Sequence, residues 1–549
     1  METSRHIPKG NLWLLIAGFT VLASLPFLVP HLGFLSLVGF IPLFQLDRLL
    51  TEGRVKYAFW YYYAAFLLFN IATTFWIWFV SPAGAIAAIL LNALQMAAIF
   101  ALFRWGGRVI RRKVAHPVRA EALSLLWFLV TWLAWEHIYF EIELSWPWLC
   151  LGNSFAYNPE MVQWYEHLGA VGGSAWILLC NALIYLWLYS RERARRRWYA
   201  VGAAVAVFVP ILCSEIRYAT YKESDDPMEV VVAQPNIDPF HKYGVLPQAS
   251  LDERLIELFA REVTPQTRFV ITPETFTYDV DIDNPLNSPS MRTYKAFLSA
   301  HPGTDMLLGA LTYRRFFNTP DKPTRSARPR GQGQWIDVYN TALVMNGEQV
   351  GQYYFKSKLV PGVEIIPYEN ALKFLGKIVQ KFGGSSSSYG TQDEMEAIAA
   401  GDGRKVGAMI CYESVYGDWS RNATRKGAEF LAVMTNDGWW GDTPGYRQHF
   451  NFARLRAIEN RRDVVQAANT GTSGLINQRG DVLTKTGWWV ETVFRGTINA
   501  NKALTPFVRH GDVTGRTAGY AFLALLLTLI VSAVSGRRSA RGKSASGRS

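Results

Sequence analysis

The apolar residues of this chain gather into runs close to the length that crosses a bilayer, and that clustering limits the possible folds more than any other feature. About 20 apolar residues in a helix span a hydrocarbon core of ~30 Å. Eight such runs occur, at about 11–29, 33–50, 57–80, 84–103, 120–140, 172–190, 198–215 and 516–535. Seven precede residue 220 and one follows residue 510. The expected organisation is a membrane domain over 1–220 with seven transmembrane helices, a separate folded unit over 221–510, and an eighth helix with a basic tail over 511–549. The first run is read as a retained anchor, because further runs follow it closely and no small-residue cleavage pattern interrupts the series.

The net charge of +12 could suggest a nucleic-acid partner, but the basic residues sit in alternate loops. Arg48, Arg54 and Lys56 follow the second run, Arg104, Arg108, Arg111, Arg112 and Lys113 the fourth, and Arg193, Arg195, Arg196 and Arg197 the sixth. The short loops near 30, 82 and 141–171 contain no Lys or Arg. This is the positive-inside pattern. It predicts both termini in the cytoplasm and 221–510 outside, and it makes basic charge a determinant of topology; no nucleic acid is expected. Trp60, Trp76, Trp78, Trp132 and Trp146 lie near run ends, where interfacial anchoring accounts for most of them. The loop from Ser145 to Gly173 is amphipathic and is expected either to lie in the interface beneath the external unit or simply to pack. Within the runs, buried charge is expected only at Glu136 and His137.

From residue 229 the pattern changes to short apolar runs alternating with helical ones. Strands are predicted at 230–234, 269–272, 306–309, 340–345, 406–411, 430–435, 464–468 and 474–477, and helices at 249–262, 290–300, 415–426 and 446–461. Strongly apolar strands interleaved with helices argue for an α/β unit whose sheets are covered by helices. Residues 319–335 read as a long loop, and the Gly/Ser-rich stretch 383–390 as a flexible insertion or a lid.

Cys411 ends the apolar run from Val406 to Ile410. Of the four cysteines, Cys150, Cys180 and Cys213 fall in or beside the apolar runs, leaving Cys411 alone in the external unit. A cysteine is often only a small buried hydrophobe. A lone thiol on the oxidising side of a membrane, at a strand end, is instead a candidate nucleophile. A thiol that attacks an acyl carbonyl needs a base and a site for the resulting oxyanion. His449 lies within a predicted helix and reads as a packing residue or a supporting one. Glu274, in Thr272-Pro-Glu274, and Lys356, before Ser357-Lys-Leu-Val-Pro361, both follow apolar strands and are better placed. No glycine-rich phosphate loop or metal-ligand spacing is present and the nine histidines are scattered, so no metal and no cofactor is expected.

Glu, Lys and Cys in that order at three strand ends resemble the nitrilase superfamily and, within it, the membrane-bound apolipoprotein N-acyltransferase family. The resemblance also rests on Ala233-Gln-Pro-Asn-Ile237, Ile410-Cys-Tyr-Glu413, Thr435-Asn-Asp-Gly-Trp-Trp-Gly441, Gln448-His-Phe450, Ala453-Arg-Leu-Arg-Ala-Ile-Glu459 and Ala468-Asn-Thr-Gly-Thr-Ser-Gly474. It implies a multi-span α-helical membrane domain joined to a nitrilase-like αββα sandwich. It implies Glu274 as general base, Lys356 as stabiliser of the tetrahedral intermediate and Cys411 as carrier of the acyl group. Glu364, Tyr412 and Glu413 match further family positions that hold the triad, with the Tyr412 N–H as oxyanion donor. The chain departs from the family in reading Pro361-Gly-Val-Glu364, and in placing Tyr243, or Phe240 in a shifted register, where a Trp is usual. Tyr243, Trp439 and Trp440 are candidate acyl-chain contacts.

The resemblance further implies ping-pong acyl transfer in a bacterial inner membrane, with the catalytic unit periplasmic. A membrane phospholipid is the donor, and the acceptor is the α-amino group of an apolipoprotein's S-diacylglyceryl cysteine. A monomer is expected. The Cys411 thiol, near 8.5 when free, is expected to be lowered by Lys356. Two other readings stay open: a membrane-tethered amidase using the same triad, and a transporter or receptor whose external unit only binds ligand.

Overall fold

The computed structural model describes residues 8–190, 192–242, 246–368 and 388–546. Among these residues eight helices are long and apolar enough to cross a membrane: Lys9–Leu28, Gly33–Glu52, Ala58–Phe79, Pro82–Lys113, Pro117–Tyr139, Tyr165–Tyr189, Arg193–Thr220 and Val513–Ser535. All eight coincide with the runs read from the sequence. Their shared core is dense in aromatics; Phe44, Phe100, Phe103 and Phe128 meet with ring centroids 5.1 to 6.4 Å apart, and such pairs add ~0.5–1.5 kcal/mol each beyond area burial. Charge inside the bundle is more extensive than the expected Glu136 and His137. Arg104 donates to the buried Asp47 at 2.7 Å, and the Tyr62 hydroxyl donates to the same carboxylate at 2.6 Å. Sequence inspection missed this pair because its members lie 57 residues apart on different helices.

The α/β part has fourteen strands among the described residues. In chain order they are β1 (Pro227–Gln234), β2 (Thr267–Ile271), β3 (Thr277–Asp281), β4 (Asp305–Phe316), β5 (Arg328–Gly331), β6 (Gln334–Met345), β7 (Val350–Phe355), β8 (Ile398–Ala399), β9 (Lys405–Ile410), β10 (Phe430–Thr435), β11 (Val464–Ala468), β12 (Gly474–Ile476), β13 (Val482–Lys485) and β14 (Thr492–Asn499). One sheet runs β14-β1-β2-β4-β6-β5, with β3 on β4 and β7 on β6, and the other runs β13-β12-β11-β10-β9-β8. The central pairs β1/β2, β2/β4, β9/β10 and β10/β11 are parallel. The predicted loop 319–335 contains β5, which pairs antiparallel with β6.

Strand periodicity sets the layers. Val230, Val232, Phe269, Ile271, Ala342 and Val344 face the second sheet, where Phe269 meets Phe430 edge-on at 5.2 Å. The alternate residues Val231, Ala233, Val270 and Leu343 face the Gln248–Ala260 and Pro289–Ser299 helices. The Gly417–Arg425 and Pro444–Asn460 helices cover the other face of the second sheet through Ala423, Ala453 and Ala457. The result is an αββα sandwich, and strands buried on both faces read as continuous apolar runs for that reason.

The two parts meet through the 145–155 segment, which is folded into short 3₁₀ turns. Trp148, Leu149 and Asn153 are buried, so this segment packs as a joint between the two parts. Gln448 completes it: Oε1 accepts from Trp148 Nε1 at 2.7 Å and Trp76 Nε1 at 3.2 Å, while Nε2 donates to the carbonyls of Phe27 and Thr73.

Candidate active site

Cys411 follows the last residue of β9 and opens a 3₁₀ turn over Cys411–Val415. Its φ is +51°, a left-handed backbone conformation that costs a residue with a side chain ~1–2 kcal/mol. Hydrogen bonds hold it there. Ser414 Oγ donates to the Cys411 carbonyl at 2.8 Å, and His449 Nε2 lies 3.0 Å from the same oxygen. Glu413, fully buried, accepts from the Ile410 N–H at 2.9 Å through Oε2. Its Oε1 accepts from the Tyr354 hydroxyl at 2.6 Å and from the backbone N–H groups of Ser357 and Lys358 at 2.7 and 3.2 Å. One carboxylate thereby ties the turn after β9 to the segment after β7 that carries Lys356.

Lys356 is 1% exposed. Its ammonium donates to Glu274 Oε1 at 3.1 Å and to Glu364 Oε1 at 2.9 Å. Burial works against that charge, but the two carboxylates outweigh it, and the Lys356 pKa stands well above the ordinary lysine value. Glu274 arrives on the turn after β2; a Cβ on Gly309 of β4 would come within 2.2 Å of the Pro273 carbonyl, so only glycine admits this turn against the sheet. Glu364 arrives on a tight turn in which Gly362 has φ +81°. Its N–H donates to the Val360 carbonyl, and its Oε2 accepts from the Val360 N–H, both at 2.9 Å. The sequence Pro361-Gly-Val-Glu364 therefore still delivers the carboxylate to Lys356.

The Cys411 thiol senses both charges. Burial pushes its pKa well above the ordinary thiol value, Glu274 adds to the rise and Lys356 opposes it. Lys356 lowers the thiol as expected, but burial and Glu274 outweigh it, so the net shift is upward. In this resting arrangement burial and the Glu274 charge keep the thiol protonated.

The comparisons with known proteins bear on this geometry. The family profile described as "Apolipoprotein N-acyltransferase N-terminal domain" matches residues 19–183, and "Carbon-nitrogen hydrolase" matches 233–504. The chain belongs to the apolipoprotein N-acyltransferase family, within the nitrilase superfamily. Curated relatives bearing that name align along most of their length. The relative from Chlorobaculum tepidum is 28% identical over 93% of this chain and 94% of its own. The relative from Pseudomonas syringae pv. tomato is 27% identical over 91% and 92%, and that from Nitrosomonas europaea 27% over 84% of each. Among solved structures, Saccharomyces cerevisiae Nit3 of the nitrilase superfamily covers 54% of this chain and is itself covered to 97%, at 14% identity and a TM-score of 0.37.

The family members singled out by sequence are thus gathered: Glu274, Lys356, Glu364, Cys411 and Glu413 converge in the sandwich. Tyr412 points toward the helical part, donating its hydroxyl to the Ser145 carbonyl at 2.8 Å and stacking on Trp146. Trp440 joins Trp76, Trp148 and His449 in an aromatic cluster, at centroid distances of 4.9, 5.6 and 5.5 Å. Trp439 is half-buried. Tyr243, most of the 383–390 stretch and the Phe240 side chain lie outside the described residues.

Sequence reasoning missed two neighbours. Asn340 on β6 donates through Nδ2 to Glu274 Oε1 at 2.8 Å and Glu364 Oε1 at 3.1 Å, clamping both carboxylates. Lys242, fully buried and pulled down to about 7 by burial, donates to the Glu274 carbonyl at 3.2 Å. Asn340 was only the polar first residue of the predicted strand 340–345, and Lys242 carried no signal.

Proposed function

We propose that this chain is an N-acyltransferase that moves a fatty acyl chain from a membrane phospholipid to an apolipoprotein, through a thioester on Cys411. The observation that carries the reading is the buried Lys356 ammonium held between Glu274 and Glu364 beside a cysteine in a left-handed turn. Glu274 takes the Cys411 proton as sulfur attacks the ester carbonyl, so no free thiolate accumulates. Lys356 and the Tyr412 N–H face the negative charge that develops on the carbonyl oxygen. Collapse expels the lysophospholipid alkoxide, which takes the proton from Glu274 and leaves the acyl group on sulfur. In the second half, Glu274 accepts a proton from the α-amino group of the S-diacylglyceryl cysteine as nitrogen attacks the thioester. The thiol is released with that proton and the amide remains on the lipoprotein.

An amine prevails over water only in a site from which water is excluded, which gives the joined helical part a role in catalysis as well as in anchoring. The alternation of basic loops supports a bacterial inner-membrane location, with 221–510 as a periplasmic catalytic domain, 1–220 and 511–549 as membrane portions, both termini cytoplasmic and the enzyme monomeric. Mass spectrometry of the purified protein tests the chemistry. One fatty acyl chain is expected on Cys411 after exposure to phospholipid vesicles, and none in Cys411→Ala. Absence of any adduct on the wild type, or retained transfer by Cys411→Ala, sinks the reading.

A further inference from the structure

Behind the nucleophile lies a second buried charge pair to which the transfer steps assign no task. His449, from the Pro444–Asn460 helix, and Asp437 are both 0% exposed. His449 Nδ1 lies 3.0 and 3.2 Å from the two Asp437 carboxylate oxygens, and Nε2 lies 3.0 Å from the Cys411 carbonyl and 2.7 Å from Ser414 Oγ. Proton counting decides the state of the ring. The Asp437 carboxylate that faces Nδ1 and the Cys411 carbonyl that faces Nε2 can only accept, so each of these contacts needs a proton on the ring nitrogen. Both ring nitrogens must therefore carry protons. Burial alone would lower the His449 pKa, but Asp437 outweighs it and the value stands above that of an ordinary histidine. Trp148 stacks on the ring at 5.8 Å and Trp440 meets it edge-on at 5.5 Å, which fixes the direction of Nε2.

The carbonyl that His449 grips shares a peptide group with the Tyr412 N–H. Cis peptides are absent among the described residues, and in a trans peptide the C=O and N–H point in opposite directions. Holding the carbonyl toward the imidazolium aims the N–H the other way. A cationic donor on the oxygen also polarises the group and strengthens its N–H as a donor. We propose that His449, held by Asp437, is a positioning residue that aims and polarises the Cys411–Tyr412 peptide so that the Tyr412 N–H serves as oxyanion donor. The inference rests on Cys411 being the acyl-carrying nucleophile.

The test compares two reactions of the same thiol in the full-length protein. Acyl transfer from phospholipid vesicles to a synthetic S-diacylglyceryl lipopeptide forms an oxyanion; alkylation of Cys411 by iodoacetamide does not. In His449→Phe, kcat for transfer is expected to fall ~10²-fold or more, the scale of losing an oxyanion donor, with KM little changed and the alkylation rate falling far less. His449→Gln, which keeps one donor and is the milder change to a packed site, is expected to fall between wild type and His449→Phe. Transfer and alkylation falling in parallel in both variants would reveal a merely structural histidine and overturn the proposal, as would transfer that does not fall. Failure of the underlying reading looks different: the wild type itself would form no acyl adduct, and Cys411→Ala would still transfer.

Discussion

Tyr412, the residue after Cys411, donates its hydroxyl to the backbone carbonyl of Ser145, 267 positions earlier in the chain, at 2.8 Å. The turn at Cys411 is thereby braced on the segment that joins two apolar helices. Tyr416 repeats the contact, its hydroxyl 2.7 Å from Ser145 Oγ. Tyr412→Phe removes the donor and leaves a buried carbonyl unmatched, at a cost of ~1–3 kcal/mol. The expected outcome is a lower melting temperature in detergent, together with a reduced kcat for acyl transfer.

Lys356→Met should be far more severe. It leaves Glu274 and Glu364 facing each other in the interior without their shared cation, and removing one partner from a buried ionic cluster costs ~3–5 kcal/mol. Transfer activity is expected to vanish and thermal stability to drop. Lys356→Met that melts like the wild type would contradict the ion-pair geometry.

Asn340→Ala tests the clamp on the two carboxylates. Both lose one hydrogen bond and Glu274 gains freedom to swing away from the thiol. A loss of ~10–100-fold in kcat is expected, equivalent to the ~1–3 kcal/mol of an unmade buried bond, while Cys411 remains alkylatable. Kinetics of acyl transfer and of iodoacetamide labelling, measured side by side, check it.

The pH response follows from the direction in which Cys411 is shifted. Burial and then Glu274 raise the thiol, so it stays protonated at neutral pH and its alkylation rate should climb with pH through and beyond the ~8.5 of a free thiol, without an earlier plateau. Glu274→Gln removes a negative charge and leaves Lys356 less neutralised, which lowers the thiol pKa. That variant should therefore be alkylated faster than wild type at pH 7.5, yet have lost transfer, since the proposed base is gone. Slower alkylation would mean that Glu274 does not face the thiol.

Much of this architecture was legible because it rests on local periodicity. The eight apolar runs coincide with eight helices, and β10 and β11 fall where their apolar runs lie, at Phe430–Thr435 and Val464–Ala468. Strands β3, β5, β7, β8, β13 and β14 escaped notice: β5, β8 and β13 are half-exposed pieces of two to four residues that carry no period to read, and β3, β7 and β14 interleave polar with apolar residues. At the site, Glu274, Lys356 and Cys411 could be named because each ends an apolar strand. Asn340 and Lys242 could not be placed there, because their partners are set by how strands lie beside one another.

Sequence alone determined the count of long apolar helices and the alternation of strands with helices, properties encoded in runs of neighbouring residues, while the resemblance in its motifs implied the αββα class and the candidate reactive groups. Tertiary structure alone decided the state of those groups. Whether the Cys411 thiol rises or falls depends on the balance of burial, Glu274 and a Lys356 already paired twice. Whether His449 packs or grips the Cys411 carbonyl depends on a 3.0 Å contact across 38 residues. Charges interact through space with strength set by distance and burial, and neither quantity is written in the order of the residues.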